Sequence, residues 1–165
     1  MPASESDEVD ALVQAWKRER NDLDLAPVEV FSRISRLARL LDLARREAFT
    51  AESIEPWEFD VLAALRRAGE PYQLSPGQLL RETMVTSGTM TNRIDRLTQR
   101  GFVDRSPDPD DRRGVLVGLT ASGKSAVDGA FETLIASERD LLAELSAAER
   151  RDLAGLLKRL MGPLR

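Results

Sequence analysis

The side chains available for chemistry in this 165-residue chain are hydroxyls, amides, carboxylates and guanidinium groups, because it holds no cysteine and no histidine. Disulfides, thiolate metal sites and thiol redox sensing all need cysteine. Histidine is the commonest transition-metal ligand and the commonest general base. Ser-His-Asp and Cys-His catalysis, structural zinc and haem ligation by His or Cys are therefore excluded. An all-oxygen Mg²⁺ or Ca²⁺ site is the metal chemistry left open, and no cofactor is expected. The carboxylates show no pairing that demands acid–base work, and no Gly-rich phosphate loop is present, so an enzyme is the least favoured class.

Hydrogen bonding by small polar groups and arginine forks is what remains, and it concentrates in two places. The segment 86–100 carries Ser87, Thr89, Thr91, Asn92, Arg96 and Arg100, and a turn further on carries Arg112 and Arg113. Small polar groups early on a helix suit the edges of bases, and later arginines suit phosphate. Net charge neither favours nor forbids such a partner. It is −4, from 24 basic and 28 acidic residues. The acids of residues 1–24 account for the excess, and residues 25–165 sum to zero. Lys17, Lys124 and Lys158 are the only lysines; every other basic residue is an arginine.

These groups need elements to hold them. Val9, Leu12, Val13 and Trp16 fall at helical spacing in residues 7–20. Pro27 opens a long amphipathic helix with Val30, Ile34, Leu37, Leu41 and Ala44 on one face. Pro56 opens a third helix, which Gly69 closes. Ser75 and Pro76 read as N-cap and first residue of a short helix ending near Met84. Thr86 then caps a helix to about residue 100, with Met90, Ile94 and Leu97 on its inner stripe and Thr89, Asn92 and Arg96 opposite. After Gly101, residues 102–105 and 115–119 read as strands around a turn rich in Asp, Pro and Arg. Thr120 caps a long helix over 121–143, and Ser146 with Glu149 forms a capping box for the last helix. The fold class is mainly α with a small β-hairpin wing: a winged helix-turn-helix between long flanking helices.

The stretch from Ser75 to Gly123 resembles the winged helix of MarR-type transcriptional regulators. The tip Asp111-Arg112-Arg113-Gly114-Val115-Leu116-Val117, leading to Leu119-Thr120, is similar to that family's wing signature, and the likeness extends over about residues 27–162. It implies an extra N-terminal helix and linker at 1–26, a dimerisation helix at 27–54, a DNA-binding domain at 55–120 and dimerisation helices at 121–165. It also implies an obligate dimer whose wing arginines enter minor grooves. Independently, the 27–48 helix and the final pair carry more apolar surface than one winged helix covers, Leu134, Ile135, Leu141, Leu156 and Leu160 among it. A C2 homodimer is the commonest solution. It places two recognition helices ~34 Å apart on a pseudo-palindromic double-stranded DNA operator.

Four residues are similar to those of the family's urate-responsive branch: Trp16 in the extra helix, Asp60, Arg93 and Arg105. The resemblance implies a pocket for a small anionic effector such as urate. Asp60 has no cation at i±3 or i±4, so if buried it needs an arginine from another element. Arg93 borders the apolar stripe, and both a pocket role and a phosphate contact stay open for it. The resulting expectation is a ligand-responsive, cytoplasmic repressor. No apolar run approaches the ~20 residues that span a bilayer, and the N-terminus lacks a signal peptide's pattern. The alternatives are a regulator answering a polycarboxylate or phenolic ligand, and a helical protein-interaction module without DNA binding.

Overall fold

A computed structural model describes residues 6–111 and 113–162. The elements in chain order are α1 (Glu8–Glu19), α2 (Ala26–Thr50), α3 (Pro56–Arg67), β1 (Gln73–Leu74), α4 (Pro76–Thr83) and α5 (Ser87–Gln99). They continue with β2 (Val103–Pro107), β3 (Val115–Leu119), α6 (Ala121–Leu141) and α7 (Ala147–Met161). The chain divides into two compact units, one up to Leu43 and one from Ala44, and α2 runs across the division.

In the first unit, Asp7 caps α1 by accepting from the N–H groups of Val9 and Asp10. Val9 and Val13 pack with Leu25 and Val28, so the two valines, not the half-exposed Trp16, staple α1 down. Arg33 on α2 donates to Asp7 at 2.8 Å and to Asp10 at 2.7 Å. These bonds from Arg33, followed by the Asp10 N–H, hold the Asp7 carboxyl down to about 2 from the usual 3.8. A depressed carboxylate stabilises the fold above its unfolded value and loses that contribution as pH falls through the folded one. Asp7→Asn keeps a good cap but loses the charge. We expect it to loosen α1 at neutral pH, with the difference from the native chain fading as pH falls through 3.8 and gone only below about 2. Trp16 fluorescence against pH checks this; a difference that persists at the acid end refutes it.

The second unit is built on a core of Phe49, Leu62, Leu65, Leu79, Met90, Ile94, Leu97, Val103, Val117, Val127 and Ala130. The rings of Phe49 and Phe59 stack 4.3 Å apart. Leu134 belongs to this core, whereas the sequence placed it among residues awaiting a partner. The sheet order is β1-β3-β2, all antiparallel. β1 is absent from the sequence reading: two residues show no alternation, and Gln73 and Leu74 become a strand only by pairing with Gly118 and Val117. β2 also runs two residues further than expected, to Pro107 opposite Val115. As an edge strand it tolerates a proline at its end.

The caps at Ser75, Thr120 and Ser146 form as their residue types require. Thr86 is an exception. It stands at the N-cap of α5, but its hydroxyl shares a 2.9 Å hydrogen bond with that of Thr89 and caps no backbone N–H. α7 buries none of its residues, and Leu153, Leu156, Leu157 and Leu160 stay 37–58% exposed. No helix among the described residues is long and apolar enough to cross a membrane.

Candidate nucleic-acid interface

α5 is held by its inner stripe. Met90, Ile94 and Leu97 are each at most 1% exposed, and α5 follows α4 through the turn at Met84, whose φ is +53°. A helix seated on one face turns the other outward: Ser87, Thr89, Thr91, Asn92 and Arg96 are exposed. Thr91 returns its hydroxyl to the Ser87 carbonyl at 3.2 Å.

Thr89, Asn92, Arg93 and Arg96 share a groove of ≈ 470 Å³ with Gly88 and Trp57. Trp57, from the first turn of α3, is the residue the sequence reading missed. The guanidinium of Arg96 lies 4.6 Å from its ring centre and that of Arg93 5.5 Å. The indole N–H donates to Glu55 at 2.5 Å, and Glu55 lies 3.6 Å from Arg96. Trp57 reads in the sequence as an ordinary apolar residue following a helix-opening proline.

Arg100, expected among the DNA-binding residues, engages groups of the protein itself. It donates to the carboxylate of Glu58, which is 1% exposed, and to the Ser53 carbonyl at 2.8 Å. Its guanidinium also lies 4.6 Å from the Phe102 ring. A buried carboxylate needs a charged partner, and among the described residues Arg100 supplies it.

At the wing tip, Asp108 and Asp111 turn their carboxylates onto the backbone N–H groups of Asp110 and Arg113, each at 2.9 Å. These acids shape the turn, and Arg113 is exposed with no ion-pair partner among the described residues. Arg112 lies outside the described residues.

Of the expected effector residues, Asp60, Arg93 and Arg105 each engage a different neighbour. Asp60 is half-buried and pairs with Arg45 at 2.9 Å, the arginine from another element that its own helix could not supply. Arg45 stacks toward Phe49 and Phe59. Arg105 pairs with Asp95 of α5 at 2.5 Å, joining the wing to that helix. Arg93 faces Trp57. Trp16 belongs to the first unit and is 48% exposed.

A family model described as MarR family matches residues 53–114. The chain is 40% identical over 152 residues to the HTH-type transcriptional regulator PecS of Dickeya dadantii, with 92% of each chain covered. Its fold is similar to that of a cysteine-to-serine mutant of MarR from Escherichia coli complexed with operator DNA. There the TM-score is 0.67 at 27% identity, covering 94% of this chain and 99% of that one. A structure addressing regulation of DNA binding of Bordetella bronchiseptica BpsR by 6-hydroxynicotinic acid gives 0.67 at 26% identity, covering 81% and 93%.

Proposed function

The chain belongs to the MarR family of transcriptional regulators, and from that premise we propose that it is a homodimeric repressor released from a pseudo-palindromic operator by a small organic anion. The observation that carries the DNA-binding half is α5, whose stripe of Met90, Ile94 and Leu97 is buried while Thr89, Asn92 and Arg96 face outward. Such a helix fits the major groove, with the exposed Arg113 of the adjoining wing reaching the backbone or the minor groove.

The uncovered leucines of α7 support a second copy as partner, since an apolar face of that length is unfavourable in water. Two recognition helices then engage half-sites ~34 Å apart.

The anion response is assigned to two ion pairs of the second unit, one of which ties the wing to α5. An anion bound at Arg105 competes with Asp95 and so loosens the wing's tie to α5. One bound at Arg45 competes with Asp60. Release requires that the anion bind the DNA-free form more tightly, because equal affinity for both forms shifts nothing.

Footprinting and mobility shift on the chain's own upstream region, with urate, xanthine, 6-hydroxynicotinate and small polycarboxylates added in turn, test this. Binding is expected to weaken steeply as salt rises; a salt-insensitive or absent shift points to the protein-interaction module instead. Arg113→Ala is expected to lower operator affinity by about tenfold, and Arg105→Ala to blunt anion release more than DNA affinity. If Arg105→Ala abolishes DNA binding while anion affinity is unchanged, this division of roles is wrong.

A further inference from the structure

We infer that Trp57 is a positioning residue for DNA binding: its indole holds the Arg93 and Arg96 guanidinium groups together as one clamp for a phosphate of the DNA backbone. The inference rests on the DNA-binding reading above and adds to it a site outside the recognition helix.

Arg93 and Arg96 are i, i+3 neighbours on α5, so their side chains lie side by side and their charges repel. Unsupported, two such side chains spread into solvent and spend most of their time apart. Trp57 opposes this. Both guanidinium groups lie within 6 Å of its ring centre, where the negative π face attracts cations. Stacking occupies the flat face of a guanidinium and leaves its edge N–H donors free, and those donors match the oxygens of a phosphodiester.

The indole is itself fixed by its N–H bond to Glu55. That carboxylate lies 3.6 Å from Arg96 and offsets part of the positive charge. Two guanidinium groups against one carboxylate leave the groove cationic, and no ion pair to Arg93 is present among the described residues. The occupant follows from the groove's position. It shares Thr89 and Asn92 with the outward face of α5, so a duplex seated on that face brings a backbone phosphate to the two arginines. A free small anion would gain the charge but not this continuity. Arg93 is thereby assigned to DNA rather than to the effector.

The test uses the full-length protein and the operator duplex found by footprinting, with affinity measured from about 50 to about 200 mM salt. Trp57→Ala is expected to lower affinity about tenfold and to make the slope of log affinity against log salt shallower by about one per subunit. Trp57→Phe keeps an aromatic face and is expected to hold the native slope and stay within about threefold in affinity. Arg93→Ala and Arg96→Ala are each expected to reduce the slope similarly, and each to cost less in the Trp57→Ala background than alone. Circular dichroism establishes that every variant is folded. A native slope in Trp57→Ala overturns the proposal, as does a slope lost equally in Trp57→Phe. Arg93→Ala that changes release by the anion while keeping the slope also overturns it. If the unmodified protein shifts no DNA at any salt, the functional reading itself fails, a result distinct from these.

Discussion

Arg100→Ala is expected to cost about 3 kcal/mol of unfolding free energy, the low end of what is lost when one partner of a buried ion pair is removed. Glu58 is 1% exposed, and its carboxylate accepts from Arg100 and, at 2.9 Å, from the N–H of Glu55. Without Arg100 the charge stays buried with one backbone donor for company. The low end applies because the Arg100 side chain is 36% exposed, so water can enter the space it leaves. For a chain of this size that loss corresponds to a fall in Tm of roughly 6–12 °C, measured at fixed protein concentration. Glu58→Ala removes the buried charge itself and should cost less, since the arginine left behind can swing into solvent. Replacing both residues by methionine should recover about half or more of the Arg100→Ala loss. A phosphate contact has a different signature: Arg100→Ala would leave Tm near native and make the salt slope shallower by about one per subunit. That outcome would return Arg100 to the DNA-binding role that the sequence suggested for it.

Arg100 also marks where sequence reading stops. Its contact with Glu58 spans 42 positions, and Glu58 sits in the first turn of α3, where an exposed acid is ordinary. Nothing local distinguishes the pair from two solvated charges. Asp60 was half legible: its own helix offers no cation, but only the fold reveals Arg45 as the partner. Trp57 belongs to the same class, since the cations that stack on it come from a different helix.

Local signals fared otherwise. The Met90–Ile94–Leu97 stripe was readable because helical period and burial coincide there. The starts of α4, α6 and α7 were readable because Ser75, Thr120 and Ser146 cap within three residues of themselves. β1 has no such signal, because its two residues acquire a strand's geometry only from β3. Periodicity and caps thus prescribe the winged helix and the outward face of α5, whereas the ion pairs and stacks that lock this face in place depend on long-range approach.

Gly123→Ala offers the sharper contrast between local preference and packing, because the two predict opposite signs. Within a helix, Gly→Ala is normally stabilising, by up to about 1 kcal/mol. Gly123 lies in the first turn of α6, where a Cβ would collide with the backbone carbonyl of Phe102 and sit 3.1 Å from the Leu119 side chain. That carbonyl cannot swing aside. It accepts from the N–H and the hydroxyl of Thr120, each at 3.1 Å. The neighbouring Gly101 carbonyl accepts from the hydroxyls of Thr120 and Ser122, both at 2.8 Å. Gly101 itself turns the chain out of α5 with a φ of +72°. The start of α6 is in this way bolted to the end of the recognition helix, and a methyl at 123 pries the joint open. Overpacking against backbone outweighs the propensity gain, so the expected net loss is about 2–3 kcal/mol. Gly77→Ala in α4 meets only ordinary contacts, the nearest at 3.9 Å, and should be neutral or slightly stabilising. Denaturant unfolding of both variants decides the matter. If Gly123→Ala is as stable as the native chain, α6 is not seated on the Phe102 carbonyl. If it unfolds early and also binds operator more weakly at a temperature where it remains folded, the joint positions α5 for DNA as well as holding it.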